Sequence, residues 1–261
     1  MNIIIKNYLT YKLYQFLCKF SYGDAKKNFE IKLKSKKSDI KIYPNSIRKW
    51  IIWYKNKKQW NPSNNALIII DDSEKEHNVF YYKGLTIEFI GKNSKVIIHN
   101  PCHFKNCNLT VSSNCTVTID KNFINTPSVS LQITEPYTSI TIGRNCLFGY
   151  GTKIMVTDYH TIANSENKIL NKPQNITIGN HVWTGAGCII LKGSYIPDNS
   201  IVGTQSVYTA KSYIPHSNEK STGLNGKIFM GNPAKCVKQG DFTWHIENCT
   251  EFETLNPQIS K

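Results

Sequence analysis

Residues 176–208 repeat a six-residue unit, and no other feature of the sequence restricts the fold as strongly. The five copies begin at Ile178, Thr184, Ile190, Ile196 and Val202. An aliphatic residue opens four of the five copies, and the fifth position of each is Val, Cys, Ser, Ser or Ser. A helix would space apolar residues three and four apart, and a simple strand would alternate them by twos. The period instead predicts a mainly β coil of three short faces that turns about every 18 residues, with each strand paired to the strand one coil above.

Strand character extends from the clear repeats back to about Ala66, in degenerate coils punctuated by Gly and Asn. Ile142 and Ile178 lie 36 residues apart, which we interpret as two full coils. The polar segment 160–175 is predicted to project from the stack as a loop. At about 4.8 Å per coil, residues 66–210 would then form roughly 8 coils, about 40 Å tall.

Charge and composition divide the chain into three parts. Residues 1–62 form a mixed α/β region that carries fourteen lysines and one arginine against three acidic residues, which is +12 of the total net charge of +14. Residues 66–211 are the predicted β-helix domain, and residues 212–261 are the predicted C-terminal cap and tail. The basic character therefore belongs to the N-terminal region.

The totals also exclude several classes of protein. No run approaches 18 uninterrupted apolar residues, and the start lacks the features of a signal peptide, so a cytoplasmic protein is expected. The eight cysteines include no C-x-x-C pair and no zinc-like Cys/His spacing, so neither a metal site nor disulfides are expected. Cys146 and Cys188 occupy position five of a hexapeptide, where we expect buried thiols.

Three motifs occur in a fixed order around the repeat. They are Asp158-Tyr-His160-Thr-Ile162, then Asn-His-Val-Trp-Thr-Gly ending at Gly185, and Gly231-Asn-Pro-Ala-Lys235. Together they resemble the hexapeptide-repeat acyltransferases and, more narrowly, the bacterial O-acetyltransferases that modify capsular or other surface polysaccharides. The resemblance is strong over residues 140–240 and looser over 66–139.

The resemblance implies a left-handed parallel β-helix, acetyl-CoA as the acetyl donor and a saccharide as the acceptor. It also implies a homotrimer whose donor groove lies between neighbouring subunits. His160 and Trp183 could then come from different subunits.

His160 is the predicted general base. It lies where a coil gives way to the projecting loop, and the ordinary pKa of histidine suits a base at neutral pH. Asp158, two residues earlier, would share its face if the segment were a strand, and could orient the imidazole or bind a sugar hydroxyl; a local turn role is the alternative. The resemblance implies that Trp183 lines the junction of acetyl group and acceptor, with packing between subunits as its alternative.

The donor groove has its own candidates. A backbone N–H near Gly185 or Ala186 would serve the oxyanion, and Gly185 and Gly187 would leave room for a pantetheine arm. His181 is expected to be solvated, and Cys188 points inward, which argues against a covalent acyl-enzyme. From the resemblance, Trp183 and these further residues would contact acetyl-CoA: Gly185, Ala186, Thr204, Thr209, Lys211, Lys235 and Lys238.

Three functions remain open from the residues. The leading one is acetyl-CoA-dependent O-acetylation of a sugar hydroxyl, by direct transfer in a ternary complex. The alternatives are N-acetylation of an amino sugar or nucleotide-linked sugar, and an inert solenoid that only binds. The basic N-terminal region favours an anionic acceptor, such as a polysaccharide containing sialic acid, or peripheral attachment to the inner membrane. Nucleic acid is not an expected partner.

Overall fold

The computed structural model describes residues 3–5, 29–33, 38–44, 66–72, 81–99, 101–214 and 224–255. Most of the predicted N-terminal region, 1–62, therefore lies outside the described residues, as does much of the tail beyond residue 255. The described part is nearly all β-strand, with one helix, α1 (Cys249–Leu255).

The first face of the coil is one sheet of eight strands, parallel except at β1, which runs antiparallel to its neighbour. In spatial order they are β1 (Ile3–Ile5), β3 (Ser38–Pro44), β4 (Ala66–Asp72), β6 (Lys95–His99), β8 (Thr116–Ile119), β11 (Ser139–Ile142), β14 (Ile176–Ile178) and β17 (Tyr195–Ile196).

The second and third faces share one sheet that forks at a long strand. This strand, β7 (Cys102–Val111), follows β2 (Phe29–Leu33) and β5 (Tyr81–Phe89) in the sheet. The second face continues through β9 (Phe123–Asn125), β12 (Leu147–Phe148), β15 (Trp183–Thr184), β18 (Ser200–Val202), β20 (Gly226–Gly231) and β21 (Ala234–Gly240). The third continues through β10 (Val129–Ile133), β13 (Lys153–Met155), β16 (Ile189–Leu191) and β19 (Val207–Tyr208).

The number of coils differs from the prediction. The first face has six strands from β4 to β17, so residues 66–210 form six coils, about 29 Å tall at the usual strand spacing. Ile140 pairs directly with Ile176, so the 36 residues between them form one coil with a long insertion and not two coils. The lower coils are also longer than the repeat, since Thr116 pairs with Ser139, 23 residues further on.

The interior follows the six-residue period. Position one is buried in every copy, from Ile178 to Val202, and position five is buried from Val182 to Ser206. Small side chains at position five let the chain turn the corner without overfilling the narrow coil. Lower in the stack, Phe123 packs between Phe104 and Phe148, with ring centroids 5.2 and 5.0 Å apart. The predicted parallel β-helix is thereby confirmed.

Asparagines mark the corner between the first and second faces. Asn122, Asn145, His181 and Asn199 stack there with φ of 58°, 58°, 55° and 52°. Asparagine tolerates this left-handed conformation better than most residues, which explains the Asn-rich coils. Two of these stacked residues are also joined by a hydrogen bond, in which Asn122 Nδ2 donates to Asn145 Oδ1 at 2.9 Å.

The chain ends by folding back on the stack. β20 extends the second face and β21 returns antiparallel to it. Residues 241–255 then cross toward the asparagine corner, where Trp244 stacks on His181 with centroids 4.2 Å apart. Within the described segments, no helix has both the length and the apolar character needed to cross a bilayer.

Candidate functional site

A long loop interrupts the coil where the third face meets the first. Residues 157–174 leave after β13 and return to β14, and we call this corner the loop edge. The loop is a small hairpin, closed by a bridge between Ala163 and Ile169 and by the Leu170 amide, which donates to Ile162 O at 2.8 Å. Its root carries Asp158 and His160, both exposed to solvent. The predicted base, His160, is therefore on the surface and not in the core.

The carboxylate of Asp158 is held by two neighbours. It forms an ion pair with Lys192, and Asn171 Nδ2 donates to its Oδ2 at 3.0 Å. The Lys192 hydrogen bond, together with the Asn171 bond and the lysine charge, holds the pKa of Asp158 below its ordinary value despite some desolvation. Asp158 is therefore a carboxylate across the physiological range of pH.

The expected relation between Asp158 and His160 was wrong in its geometry. Both residues lie in irregular backbone and not in a strand, and the His160 amide donates to the Asp158 carbonyl at 2.8 Å. The Asp158 side chain bonds Lys192 and Asn171, and so turns toward the coil. It supports the loop root, which is closer to the turn role that was the alternative.

An open groove of about 550 Å³ lies at the loop edge, next to this network. Three predicted coenzyme contacts line it, Thr209, Lys211 and Lys235, and so does Asp158. The other lining residues are Gln174, Leu191, Lys192, Ala210, Pro233 and Ala234. The Gly231–Lys235 motif thus closes one end of a groove with three lysines in its wall, which suits a phosphorylated ligand.

Lys192 is a groove residue that the sequence did not single out. It is the third residue of its hexapeptide, a corner position for which the repeat sets no chemical requirement. The contact between the Lys192 ammonium and Asp158 forms because the loop returns across the next coil, which only the structure shows.

Trp183 lies on a different side of the molecule. It points outward from β15 on the second face, is 37% exposed, and packs at 6.2 Å against Trp244. In a three-sided coil, the loop edge is the corner opposite this face. Trp183 and His160 of one chain are therefore not brought together.

Two glycines at the corner between the second and third faces allow neighbouring coils to approach closely. A Cβ at Gly185 would lie 2.7 Å from the Thr204 nitrogen, and one at Gly187 would lie 2.6 Å from Gln205 Nε2. The next coil fills the space on the Cβ side of these glycines, so the close approach of the coils itself requires glycine at both positions. Thr204 itself is exposed beside this corner, away from the groove at the loop edge.

The same corner narrows the choice of oxyanion donor. The Gly185 amide donates to Val202 O at 2.8 Å, as part of the coil. Ala186 is half-buried, and its amide makes no hydrogen bond within the described residues. Of the two predicted donors, Ala186 is the one with an N–H to offer.

Lys238 and His181 both contact the C-terminal segment, and the contact of His181 departs from its prediction. Lys238 extends over the Phe242 ring at 5.1 Å and does not line the groove. His181 is half-buried under Trp244, with Nδ1 at 3.0 Å from Asn199 Oδ1, and so is not a solvated residue. The six-residue pattern could not show either, because the C-terminal segment supplies both contacts.

Burial makes the interior thiols unreactive. Cys146 and Cys188 are buried as predicted. Burial raises the pKa of Cys146 to about 12 and also raises the pKa of Cys188. In the part of the chain that the structure describes, no group of three or more His, Cys, Asp or Glu side chains could hold a metal ion.

Curated relatives are similar to part of the chain. The polysialic acid O-acetyltransferase of Neisseria meningitidis is 34% identical over 125 residues, which cover 40% of this chain and 58% of the relative. The galactoside O-acetyltransferase of Escherichia coli (strain K12) is 36% identical over 93 residues, which cover 35% of this chain and 43% of the relative. The chain thus spans about half the length of the curated relatives it matches. No protein-family profile matches it.

Solved structures share the fold. The polySia specific acetyltransferase NeuO superposes with a TM-score of 0.53 at 20% identity, covering 74% of this chain and 81% of that chain. The polysialic acid O-acetyltransferase OatWY gives a TM-score of 0.53 at 22% identity, covering 88% and 99%. The resemblance to hexapeptide-repeat acetyltransferases that the sequence indicated is confirmed.

Proposed function

We propose that this chain, which resembles the hexapeptide-repeat acetyltransferases in sequence and in fold, is an acetyl-CoA-dependent O-acetyltransferase of a bacterial surface polysaccharide. One observation carries the proposal. Asp158 lines the lysine-bearing groove, and the candidate base His160 is two residues away on the same loop root. A long anionic donor and a hydroxyl acceptor could therefore meet beside one imidazole.

The proposed reaction is direct transfer to the acceptor. Acetyl-CoA supplies a thioester acetyl group. His160 takes the proton of the sugar hydroxyl, so that the oxygen can form the new ester bond as the sulfur–carbonyl bond breaks. The Ala186 amide donates to the oxyanion, and Lys211 and Lys235 neutralise the phosphates of the donor. The buried Cys188 takes no part.

The acceptor that we propose is an anionic polysaccharide that contains sialic acid. The support is the name of the Neisseria meningitidis relative, a polysialic acid O-acetyltransferase. The +12 charge of residues 1–62 suits such an acceptor, because a basic region raises the local concentration of a polyanion. The reaction would take place in the cytoplasm, with the basic region at the anionic inner face of the membrane.

We also propose a homotrimer. His160 lies at the loop edge, whereas Trp183 and Ala186 lie on and beside the opposite second face. A neighbouring subunit would bring its second face against the loop edge and complete the site. This arrangement agrees with the outward position of Trp183, which is only partly covered by Trp244.

Acetyl transfer can be tested directly. The protein is incubated with acetyl-CoA and with polysialic acid, a galactoside or a neutral polysaccharide, and free thiol is measured over time. We expect thiol release above the acceptor-free rate with polysialic acid. The acetyl group should be lost from the product under mild alkali, as an ester is, whereas an alkali-stable product would favour N-acetylation. No acceptor-dependent release with any sugar would contradict the proposal.

Lys211 and Lys235 are expected to contribute strongly to the affinity of the groove for acetyl-CoA. Each charged contact to a phosphate is worth about 1.5–3 kcal/mol, so Lys211→Ala with Lys235→Ala should raise the Kd for acetyl-CoA by at least roughly 100-fold. Calorimetric titration measures this change. Lys153→Ala is the matched control, since Lys153 is exposed on the same third face outside the groove. Equal affinities for the double variant and the control would remove acetyl-CoA from this groove.

A further inference from the structure

Asn171 uses every polar group of its side chain at the root of the loop. Its Nδ2 donates to Asp158 Oδ2 at 3.0 Å and to the His160 carbonyl at 2.7 Å. Its Oδ1 accepts a hydrogen bond from the Ile162 amide at 2.7 Å. An asparagine amide has two donor hydrogens and one acceptor oxygen, so both hydrogens and the oxygen are engaged by the segment that carries His160.

These bonds enclose the candidate base. One partner is the carbonyl of His160 itself, and another is the amide two residues later. Together they fix the backbone on the C-terminal side of His160, while the His160 amide bonded to Asp158 O fixes the other side. An exposed loop would otherwise sample many backbone states, at a cost of about 1–2 kcal/mol for each residue that must be ordered.

A lysine ties this arrangement to the groove. Lys192 Nζ donates to the Asn171 carbonyl at 2.7 Å and also to the Asp158 carboxylate. Lys192 belongs to the rigid coil just after β16 and lines the groove. The loop root is therefore attached to the wall of the groove and not only to itself.

We propose that Asn171 is a positioning residue for His160, holding the base at a fixed place beside the donor groove. This inference rests on the proposed acetyl transfer. A base displaced by about 1 Å can cost 10²-fold in rate, so the loss of Asn171 acts on the chemical step and leaves donor binding unchanged.

Three variants separate this role from general loop stability. Asn171→Ala removes all three side-chain bonds. Asn171→Asp keeps the shape and one acceptor but removes both donors, and it places a second carboxylate beside Asp158. Asn164→Ala is the matched control in the same loop, because Asn164 Oδ1 accepts from the Glu166 and Lys168 amides at the hairpin tip, away from His160.

The expected kinetic result is a split between kcat and KM. Asn171→Ala should lower kcat roughly 10- to 100-fold with the KM for acetyl-CoA unchanged, and Asn171→Asp should be at least as impaired. Asn164→Ala should stay within about twofold of the wild type. A merely space-filling role would let the isosteric Asp restore kcat.

Hydrogen–deuterium exchange gives a readout that needs no activity. The Ile162 amide should exchange faster in Asn171→Ala and remain protected in Asn164→Ala, where the Glu166 and Lys168 amides should exchange faster instead. Unchanged Ile162 exchange in Asn171→Ala, or a kcat equal to that of Asn164→Ala in an active enzyme, would overturn the positioning role alone. A wild-type protein that transfers no acetyl group would overturn the proposed function and the role of Asn171 with it.

Discussion

His160→Ala is expected to lower kcat by roughly 10²- to 10⁴-fold, the usual contribution of a positioned general base. The side chain is exposed on a projecting loop and outside the core, so the variant should fold as the wild type does. Acetyl-CoA should bind with unchanged affinity, since the groove is lined by other residues. Steady-state thiol release and calorimetric titration measure the two quantities.

His245→Ala is the control for this prediction. His245 is also exposed, but it lies in the C-terminal segment against Phe252, with centroids 4.5 Å apart. Its loss should leave kcat close to that of the wild type. If His160→Ala turned over as fast as His245→Ala, the base would have to be sought elsewhere.

Phe123→Ala is expected to destabilise the protein by about 3–5 kcal/mol, the usual effect of truncating a buried aromatic side chain. Phe123 is fully buried, and its ring packs between those of Phe104 and Phe148 at 5.2 and 5.0 Å. A coil stack this narrow cannot collapse around the space that is left, because its strands are held in register from above and below. Chemical denaturation gives the free energy of unfolding.

The neighbouring residue provides the comparison for Phe123. Ile124 follows it in β9 and points outward, half-buried. Ile124→Ala removes surface packing only and should cost clearly less than Phe123→Ala. An equal loss of unfolding free energy in the two variants would mean that the stacked interior phenylalanines add nothing to stability beyond ordinary strand packing.

The interior could be predicted from the sequence because the rule behind it is local. Each strand turns one side chain in and the next one out, and each corner accepts only a compact residue, so Ile190 and Cys188 reveal their positions within six residues of chain. The family resemblance then pointed to His160, Lys211 and Lys235, and these three residues lie at or beside the loop edge.

The six-residue period gave the wrong number of coils, because one separation along the chain had two interpretations. A separation of 36 residues fits two coils or one coil with an insertion, and only the pairing of Ile140 with Ile176 decides between them. Glycine at position 185 has a structural cause that the sequence could not show. The close approach of Thr204 in the next coil leaves no space for a Cβ there.

The three-sided coil and its buried positions follow from the six-residue pattern, and the resemblance carried by the motifs supplied His160 as the candidate base. The structure was needed to show that Asn171 and Lys192 hold the loop root, that Trp244 covers His181, and that Trp183 faces away from His160. The two kinds of feature differ in how far apart along the chain the contacting residues are. Burial in a coil repeats every few residues, whereas the contacts at the loop edge join segments whose meeting depends on where an insertion leaves the stack and returns to it.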